Sequence, residues 1–185
     1  MNTSRRARER GVSLVESLVG LALVAAGLRM ALPALQDFLQ ATAVNAATEE
    51  VLAEVRQART EALMRNRRVT MCKSADGSRC TAAGGWEQGW IMFHDENNNG
   101  LRDEGEEAIA RHGPLAPTLR VTGNTPVSRY VSYSAIGTTR LVGGGFQAGT
   151  LTVCSTSAGA AQARQVVFNA VGRPRMQKAT VTSCL

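Results

Sequence analysis

Histidine is scarce in this chain, and aromatic residues are few. Among the 185 residues, His94 and His112 are the only histidines, and aromatic side chains make up 4%. This scarcity disfavours a Ser-His-Asp triad and a zinc site built from several imidazoles. The chain also has no GxSxG, HExxH or P-loop motif. The sequence therefore predicts a protein that is not an enzyme.

Acidic residues are absent from the second part of the chain. From residue 108 to residue 185 there is no Asp or Glu, whereas there are eight Arg or Lys residues. The formal net charge of the whole chain is +6. A long basic stretch without acids indicates an anionic partner, although it carries no information about the fold.

The longest apolar run lies close to the N-terminus. Residues 12–28 contain a single charge, Glu16, and the apolar stretch continues to residue 35 with interruptions at Arg29 and Pro33. As a helix, residues 12–28 would be about 26 Å long, close to the ~30 Å core of a bilayer. Because arginines precede this run, we expect the N-terminus to stay in the cytoplasm and the rest of the chain to be exported.

The residues around Gly11 resemble the processing site of a type IV prepilin. The segment RGVSLVES has a basic leader, Gly11 before the cut, the apolar Val12 after it and Glu16 at the fifth mature position. The resemblance implies that residues 1–11 are a leader peptide, which a prepilin peptidase removes before Val12 is N-methylated. It also implies that Glu16 pairs with the N-terminal amine of a neighbouring subunit, since each charge needs a counter-charge in an apolar bundle.

The pattern of the chain changes from helical to β-rich near residue 67. Residues 34–66 contain neither glycine nor proline and are rich in helix formers. We expect one long helix over residues 12–66, with residues 12–35 in the membrane or the pilus core. Residues 67–185 have short β-branched runs separated by Gly, Pro, Asn and Ser, which predicts an antiparallel sheet domain. A long N-terminal helix packed on that sheet gives an α+β fold.

All four cysteines lie in the part of the chain that we expect to be exported. They are Cys72, Cys80, Cys154 and Cys184. An even number of cysteines in an oxidising compartment predicts disulfides, and three pairings are possible. We expect Cys72–Cys80 and Cys154–Cys184, on proximity in the sequence and because similar pilins staple a C-terminal loop.

The segment GGWEQGWIMFHDENNNGLRDEGEEAI resembles the FimT/GspH family of minor pilins and pseudopilins. In that family a Trp-containing strand leads into an Asp/Asn/Gly turn and another strand. The resemblance implies the type IV pilin fold, with other pilins, the prepilin peptidase and the inner membrane as partners. It implies a single-pass protein of the bacterial inner membrane with a periplasmic C-terminal domain, which becomes extracellular in the pilus.

The sequence GRPR at residues 172–175 is the strongest candidate site. Gly172 allows a turn, Pro174 stiffens the chain, and the guanidiniums of Arg173 and Arg175 can each grip a phosphate. Two further cations lie close in the sequence, Arg164 and Lys178. On physical grounds alone the motif also fits a solvated β-turn with two ordinary surface arginines.

The family resemblance adds a function to this motif. FimT-type pilins that act in natural transformation carry a C-terminal Gly-Arg-x-Arg motif that binds DNA, and residues 172–175 match it one by one. The resemblance therefore implies sequence-independent DNA binding through phosphates, for DNA uptake. The alternative is a structural, GspH-like pseudopilin of a type II secretion system, which needs no DNA.

A second candidate site is an Asp/Asn-rich loop with the spacing of an EF-hand calcium loop. Its ligand positions are occupied by Asp95, Asn97, Asn99, Asp103 and Glu106. However, Arg102 stands where an apolar residue normally anchors the loop, and the run before Asp95 is typical of a strand. An Asn/Gly hairpin turn is the alternative that we prefer. We therefore expect no cofactor, and calcium is the one candidate.

Overall fold

The computed structural model describes residues 13–157, 161–169 and 171–184. One long helix, α1 (Leu14–Arg65), precedes eight strands. The strands are β1 (Val69–Lys73), β2 (Trp90–His94), β3 (Ala108–His112), β4 (Leu119–Gly123), β5 (Tyr130–Tyr133), β6 (Gly149–Ser155), β7 (Ala161–Phe168) and β8 (Pro174–Val181). Every strand pairing is antiparallel. The expected fold class, a long N-terminal helix with an antiparallel β-sheet domain, is confirmed.

The strands form two sheets rather than the one sheet that we expected. The first has the order β3-β2-β1-β5, and the second has the order β4-β6-β7-β8. The contacts within the chain divide it between Leu39 and Gln40 into two units. Both sheets and the second part of α1 belong to the unit from Gln40 to Leu185.

The first part of α1 presents apolar side chains to its surroundings. Large residues from Leu14 to Leu39 are more than half exposed, and the helix is long and apolar enough to cross a membrane. The helix begins at a capping arrangement, in which the Glu16 amide donates to the Ser13 hydroxyl over 3.3 Å. Since exposed leucines are unfavourable in water, this segment needs lipid or other helices around it. It is therefore compatible with a membrane-anchored pilin.

The second part of α1 buries one face in the core of the β-rich unit. The buried helix residues recur at helical spacing and include two alanines with no exposed surface, Ala58 and Ala62. They pack with residues of both sheets, among them Met71, Leu151 and Phe168. The helix ends where Asn66 adopts a φ of 51°, the left-handed conformation that commonly terminates helices.

Two disulfides join the cysteine pairs that we expected. Cys72 of β1 is bonded to Cys80 in the loop that follows it, with 5.6 Å between the Cα atoms. Cys154 of β6 is bonded to Cys184, which follows β8, with 5.8 Å between the Cα atoms. The second bond therefore ties the C-terminal segment to a strand two positions away in the sheet.

Candidate nucleic-acid interface

The turn between β7 and β8 carries the GRPR motif. The Gly172 amide donates to the Asn169 carbonyl over 2.9 Å, and the Arg173 amide donates to the Asn169 side-chain oxygen over 3.0 Å. One part of our expectation for this motif is wrong, because the turn ends earlier than we expected. Pro174 already begins β8, so that Arg175 lies in a strand. Proline is tolerated there because β8 is an edge strand and Pro174 is its first residue.

Gly172 is required by its backbone conformation and by its surroundings. Its φ is +77°, and a Cβ atom at this position would lie only 2.1 Å from the Gly137 carbonyl oxygen. Gly172 is therefore buried against a second turn, around Gly137, while the next residue, Arg173, is exposed. This contact fixes the backbone position of Arg173, the first arginine of the motif, at the surface of the domain.

Arg173 borders a surface pocket of about 420 Å³. The other residues that line the pocket are Arg56, Arg59, Thr60 and Leu63 of α1, together with Pro174. Arg56 and Arg59 are functional candidates that our sequence reasoning missed. Both precede Arg173 by more than a hundred residues, and only their spacing of three on one helix hinted that they share a face.

Arg175 lies on the face of the second sheet that points away from α1. It pairs with Val167, whereas Val166 and Phe168 belong to the core cluster that also contains the buried face of α1. Because side chains alternate along a strand, Arg175 points away from that core. Its side chain is exposed. The two motif arginines therefore reach solvent on different sides of the strand edge.

Arg164 and Lys178 form a separate pair. They are direct partners in the β7–β8 ladder, so their side chains share the face that packs toward α1. Both line a pocket of about 400 Å³ together with Asn45 and Glu49 of α1. The Arg164 guanidinium donates to the Asn45 side-chain oxygen. Of the four cations that we expected to act together, these two therefore lie apart from Arg173 and Arg175.

The candidate cations have no acidic partners in the part of the chain that the structure describes. The salt bridges found there join Glu50, Glu61, Glu87, Glu96 and Glu107 to Arg65, Arg67, His112 and Arg120. None of them involves Arg56, Arg59, Arg164, Arg173, Arg175 or Lys178. The positive charge of these side chains is therefore available to an external anion.

The carboxylates of the Asp/Asn-rich loop accept hydrogen bonds from within the domain. Asp95 is buried, and its carboxylate accepts hydrogen bonds from the Thr70 hydroxyl and from the amides of Asn99 and Gly100. Glu106 likewise accepts from the amides of Glu96 and Asp103.

Asp103 accepts from the side-chain amides of Asn97 and Asn99 over 2.7 Å each. Among the described residues, no three Cys, His, Asp or Glu side chains gather as a metal site would require. The carboxylates of this loop stabilise its own backbone, as in the hydrogen-bonded turn that we preferred, and calcium binding there stays a prediction.

Only part of the processing motif lies among the residues that the structure describes. Gly11 and Val12 lie outside the described residues. Glu16 lies in the first turn of α1 and is exposed. A carboxylate at this position interacts favourably with the helix dipole, so its location alone is explained without a neighbouring subunit.

Comparisons of the sequence with known proteins identify one family and one similar relative. A family model described as "Type II transport protein GspH" matches residues 47–172. The "Pilin-like protein PilA1" of Thermus thermophilus is 31% identical over 179 residues, which cover 91% of this chain and 98% of that protein.

Solved structures give the same fold. The type IV minor pilin FimU of Pseudomonas aeruginosa, in space group P21, has a TM-score of 0.53 at 20% identity. That alignment covers 80% of this chain and 99% of FimU. A second crystal form of FimU gives a TM-score of 0.51 over 76% of this chain and 99% of that chain, also at 20% identity.

Proposed function

Because the chain belongs to the family of the type II transport protein GspH, we propose that it is a minor pilin that binds extracellular DNA during natural transformation. The family consists of structural pilins and pseudopilins, which assemble with other pilins and are not enzymes. Membership in this family does not by itself specify a type IV pilus, DNA binding or DNA uptake. The family match ends at Gly172, so these features need an argument from this chain's own residues.

The observation that carries the proposal is the exposure of two arginines without acidic neighbours. Arg173 and Arg175 are both exposed, on either side of Pro174. No acid follows Glu107 in the sequence, so local neutralisation within the second sheet is weak. Planar guanidiniums bind phosphate oxygens through two parallel hydrogen bonds, which suits them to a nucleic-acid backbone.

The geometry suits contacts to the phosphates rather than to the bases. The two arginines leave the edge of the sheet on different sides, as a clamp on one backbone strand would require. We therefore expect binding that does not depend on the DNA sequence and that weakens with salt.

A structural pseudopilin of a type II secretion system is the second candidate. It is favoured by the family description and by the fact that the matched region stops before Arg173. In that function the motif is simply the solvated start of an edge strand, where charged side chains and proline prevent edge-to-edge pairing. This candidate predicts no DNA binding beyond that of any basic surface.

The two candidates are separated by DNA binding of the full chain in a mild non-ionic detergent. We expect micromolar to sub-millimolar affinity for double-stranded DNA at physiological salt. If three to five phosphates are neutralised, log K falls with log salt at a slope of roughly −3 to −4.5. Arg173→Ala and Arg175→Ala should each flatten the slope by about one.

The double variant Arg173→Ala/Arg175→Ala should nearly abolish binding and leave the melting temperature almost unchanged, because exposed arginines contribute little to stability. The matched control is Arg111→Ala/Arg129→Ala, which removes two exposed arginines near the first sheet. Equal losses in the two double variants would sink the proposal and leave the pseudopilin as the better interpretation.

A further inference from the structure

Three arginines from distant parts of the chain line one surface pocket. Arg56 and Arg59 belong to α1, and Arg173 belongs to the turn before β8. They line the pocket of about 420 Å³ described above, with Thr60, Leu63 and Pro174 completing its wall. No acidic side chain lines this pocket. We call these three residues the arginine pocket.

Close backbone contacts hold the arginine pocket together. The Arg59 Nε atom donates to the Gly137 carbonyl over 3.0 Å. A Cβ atom on Gly137 would meet the side chains of Leu63 and Arg59 at 3.1 and 3.2 Å, and one on Gly172 would meet the Gly137 carbonyl. Helix α1, the turn at Gly137 and the turn at Gly172 therefore touch through two glycines. The position of Arg173 relative to α1 is consequently fixed by packing rather than by a flexible loop.

The positive charge of the arginine pocket favours the binding of an anion. Arg56 and Arg59 are three residues apart on one helix, where like charges repel each other. Arg173 adds a third positive charge, and none of the salt bridges among the described residues includes any of the three. An arrangement of this kind is relieved when a negative group enters.

Guanidinium groups supply the donors of the pocket. The Thr60 hydroxyl gives its hydrogen to the Arg56 carbonyl over 3.0 Å and keeps only acceptor capacity, so the donors left for a ligand are guanidinium N–H groups. A ligand that fits must therefore be rich in acceptors and negatively charged, as a phosphate group is. A neutral ligand would leave the positive charge of the three arginines uncompensated.

We propose that the arginine pocket binds one phosphodiester group of the DNA, so that helix α1 forms part of the DNA-binding surface. The inference rests on the proposed function and names a further part of its binding site. Arg173 holds a phosphate together with Arg56 and Arg59, while Arg175 contacts the backbone from the other side of the strand edge. The binding surface is thus larger than the four-residue motif.

The first test uses affinity. In the full chain in detergent, Arg56→Ala should weaken binding of a DNA duplex about two- to fivefold and flatten the salt slope by about one. The matched control is Arg111→Ala, an exposed arginine outside the pocket, which should change neither quantity. Because Arg56 and Arg173 would share one phosphate, their losses should not add in the variant that carries both. Additive losses would overturn the shared pocket.

The second test locates the ligand directly. Phenylglyoxal modifies accessible arginines, and mass spectrometry measures the extent at each position. A DNA oligonucleotide should protect Arg56 and Arg173 and leave Arg111 reactive. Inorganic phosphate at the same phosphate concentration should protect Arg56 and Arg173 less. An oligonucleotide makes further contacts to the protein through its neighbouring nucleotides, and inorganic phosphate cannot.

Each outcome of the two tests has a definite meaning. If Arg173→Ala/Arg175→Ala abolishes DNA binding while Arg56→Ala behaves like Arg111→Ala, the proposed function stands and the arginine pocket fails. If inorganic phosphate protects Arg56 and Arg173 and the oligonucleotide does not, the pocket binds a free anion and the assignment to DNA is overturned. If neither ligand protects these arginines, the pocket is not an anion site.

Discussion

At the scale of single residues, a glycine can be required by its backbone conformation or by a lack of space for a Cβ atom. Gly172 and Gly144 show the difference. Both have positive φ angles, +77° and +84°. A Cβ atom on Gly144 would meet no other atom within 4 Å, whereas one on Gly172 would collide with the Gly137 carbonyl. Gly144 therefore needs glycine only for its backbone conformation, and Gly172 needs it also for close approach of two turns.

We expect Gly172→Ala to lower the free energy of unfolding clearly more than Gly144→Ala does. The left-handed conformation costs about 1 kcal/mol in each variant, and the collision adds a further loss of about 1–3 kcal/mol at Gly172 only. Urea unfolding of the full chain in detergent, followed by circular dichroism, measures both values. Equal losses would show that the turn at Gly172 moves away from Gly137 without cost.

The same residues show why the site was only partly predictable. The GRPR motif was recognisable because four consecutive residues carry its chemistry. The partners Arg56 and Arg59 were not, because they become neighbours of Arg173 only when the second sheet packs on α1. The separation of Arg164 and Lys178 from the motif follows from strand alternation, which cannot be applied until the start of β8 is known.

At the scale of elements, the β7–β8 hairpin is held differently at its two ends. At one end, the turn is held by hydrogen bonds to Asn169 and by the contact with Gly137. At the other end, Cys154 is bonded to Cys184, roughly 20 Å along the strands from the turn. The disulfide encloses the motif in the sequence, yet it lies far from it in space.

We therefore expect the two disulfides to differ in their effect on stability rather than on DNA binding. In the chain-entropy model, the sequence separations of 30 and 8 residues correspond to about 3.6 and about 2.5 kcal/mol. Cys154→Ser/Cys184→Ser should thus lower the unfolding free energy more than Cys72→Ser/Cys80→Ser. DNA affinity, measured well below the melting temperature, should change less than twofold in both. A tenfold loss in the first variant would contradict this separation of roles.

The elements themselves were predictable to different degrees. Helix α1 was evident because residues 34–66 lack helix breakers and carry one apolar face, which is buried in the structure. The beginning of β8 was not, because this edge strand has exposed residues on both faces and so lacks the alternation that marks a strand. β3 lacks a clear strand pattern for a similar reason, since none of its residues is fully buried, and only the family resemblance implied a strand after the Asp/Asn/Gly turn.

At the scale of the whole molecule, the chain combines an apolar helical segment with a basic C-terminal part. The apolar side chains of α1 before residue 40 are exposed in the isolated chain. In the family to which the chain belongs, such helices are surrounded by those of other pilins. The basic residues after Glu107 lie in the other unit, so the proposed DNA-binding surface and the apolar segment of α1 occupy different parts of the chain.

We expect processing between Gly11 and Val12, followed by a role of Glu16 in assembly. Mass spectrometry of membrane-extracted protein should find methylated Val12 as the first residue, and a retained Met1 would contradict this. Glu16→Gln keeps the capping arrangement and removes the charge, so it should be processed but assemble poorly. Ser13→Ala removes the cap and keeps the charge, and it should assemble normally. The reverse result would assign Glu16 to helix capping alone.

The bond between Cys154 and Cys184 also decides how the domain carries a mechanical load. As an edge strand among the described residues, β8 is hydrogen-bonded to one neighbouring strand, β7. A pull on the turn before Pro174, opposed at α1, would peel β8 away from β7 rung by rung, beginning at the turn. The peeling must stop at Cys184, because the covalent bond anchors this end of the chain to β6. Peeling of β8 would therefore end at the disulfide, and the C-terminal end of the chain would remain tethered to the sheet.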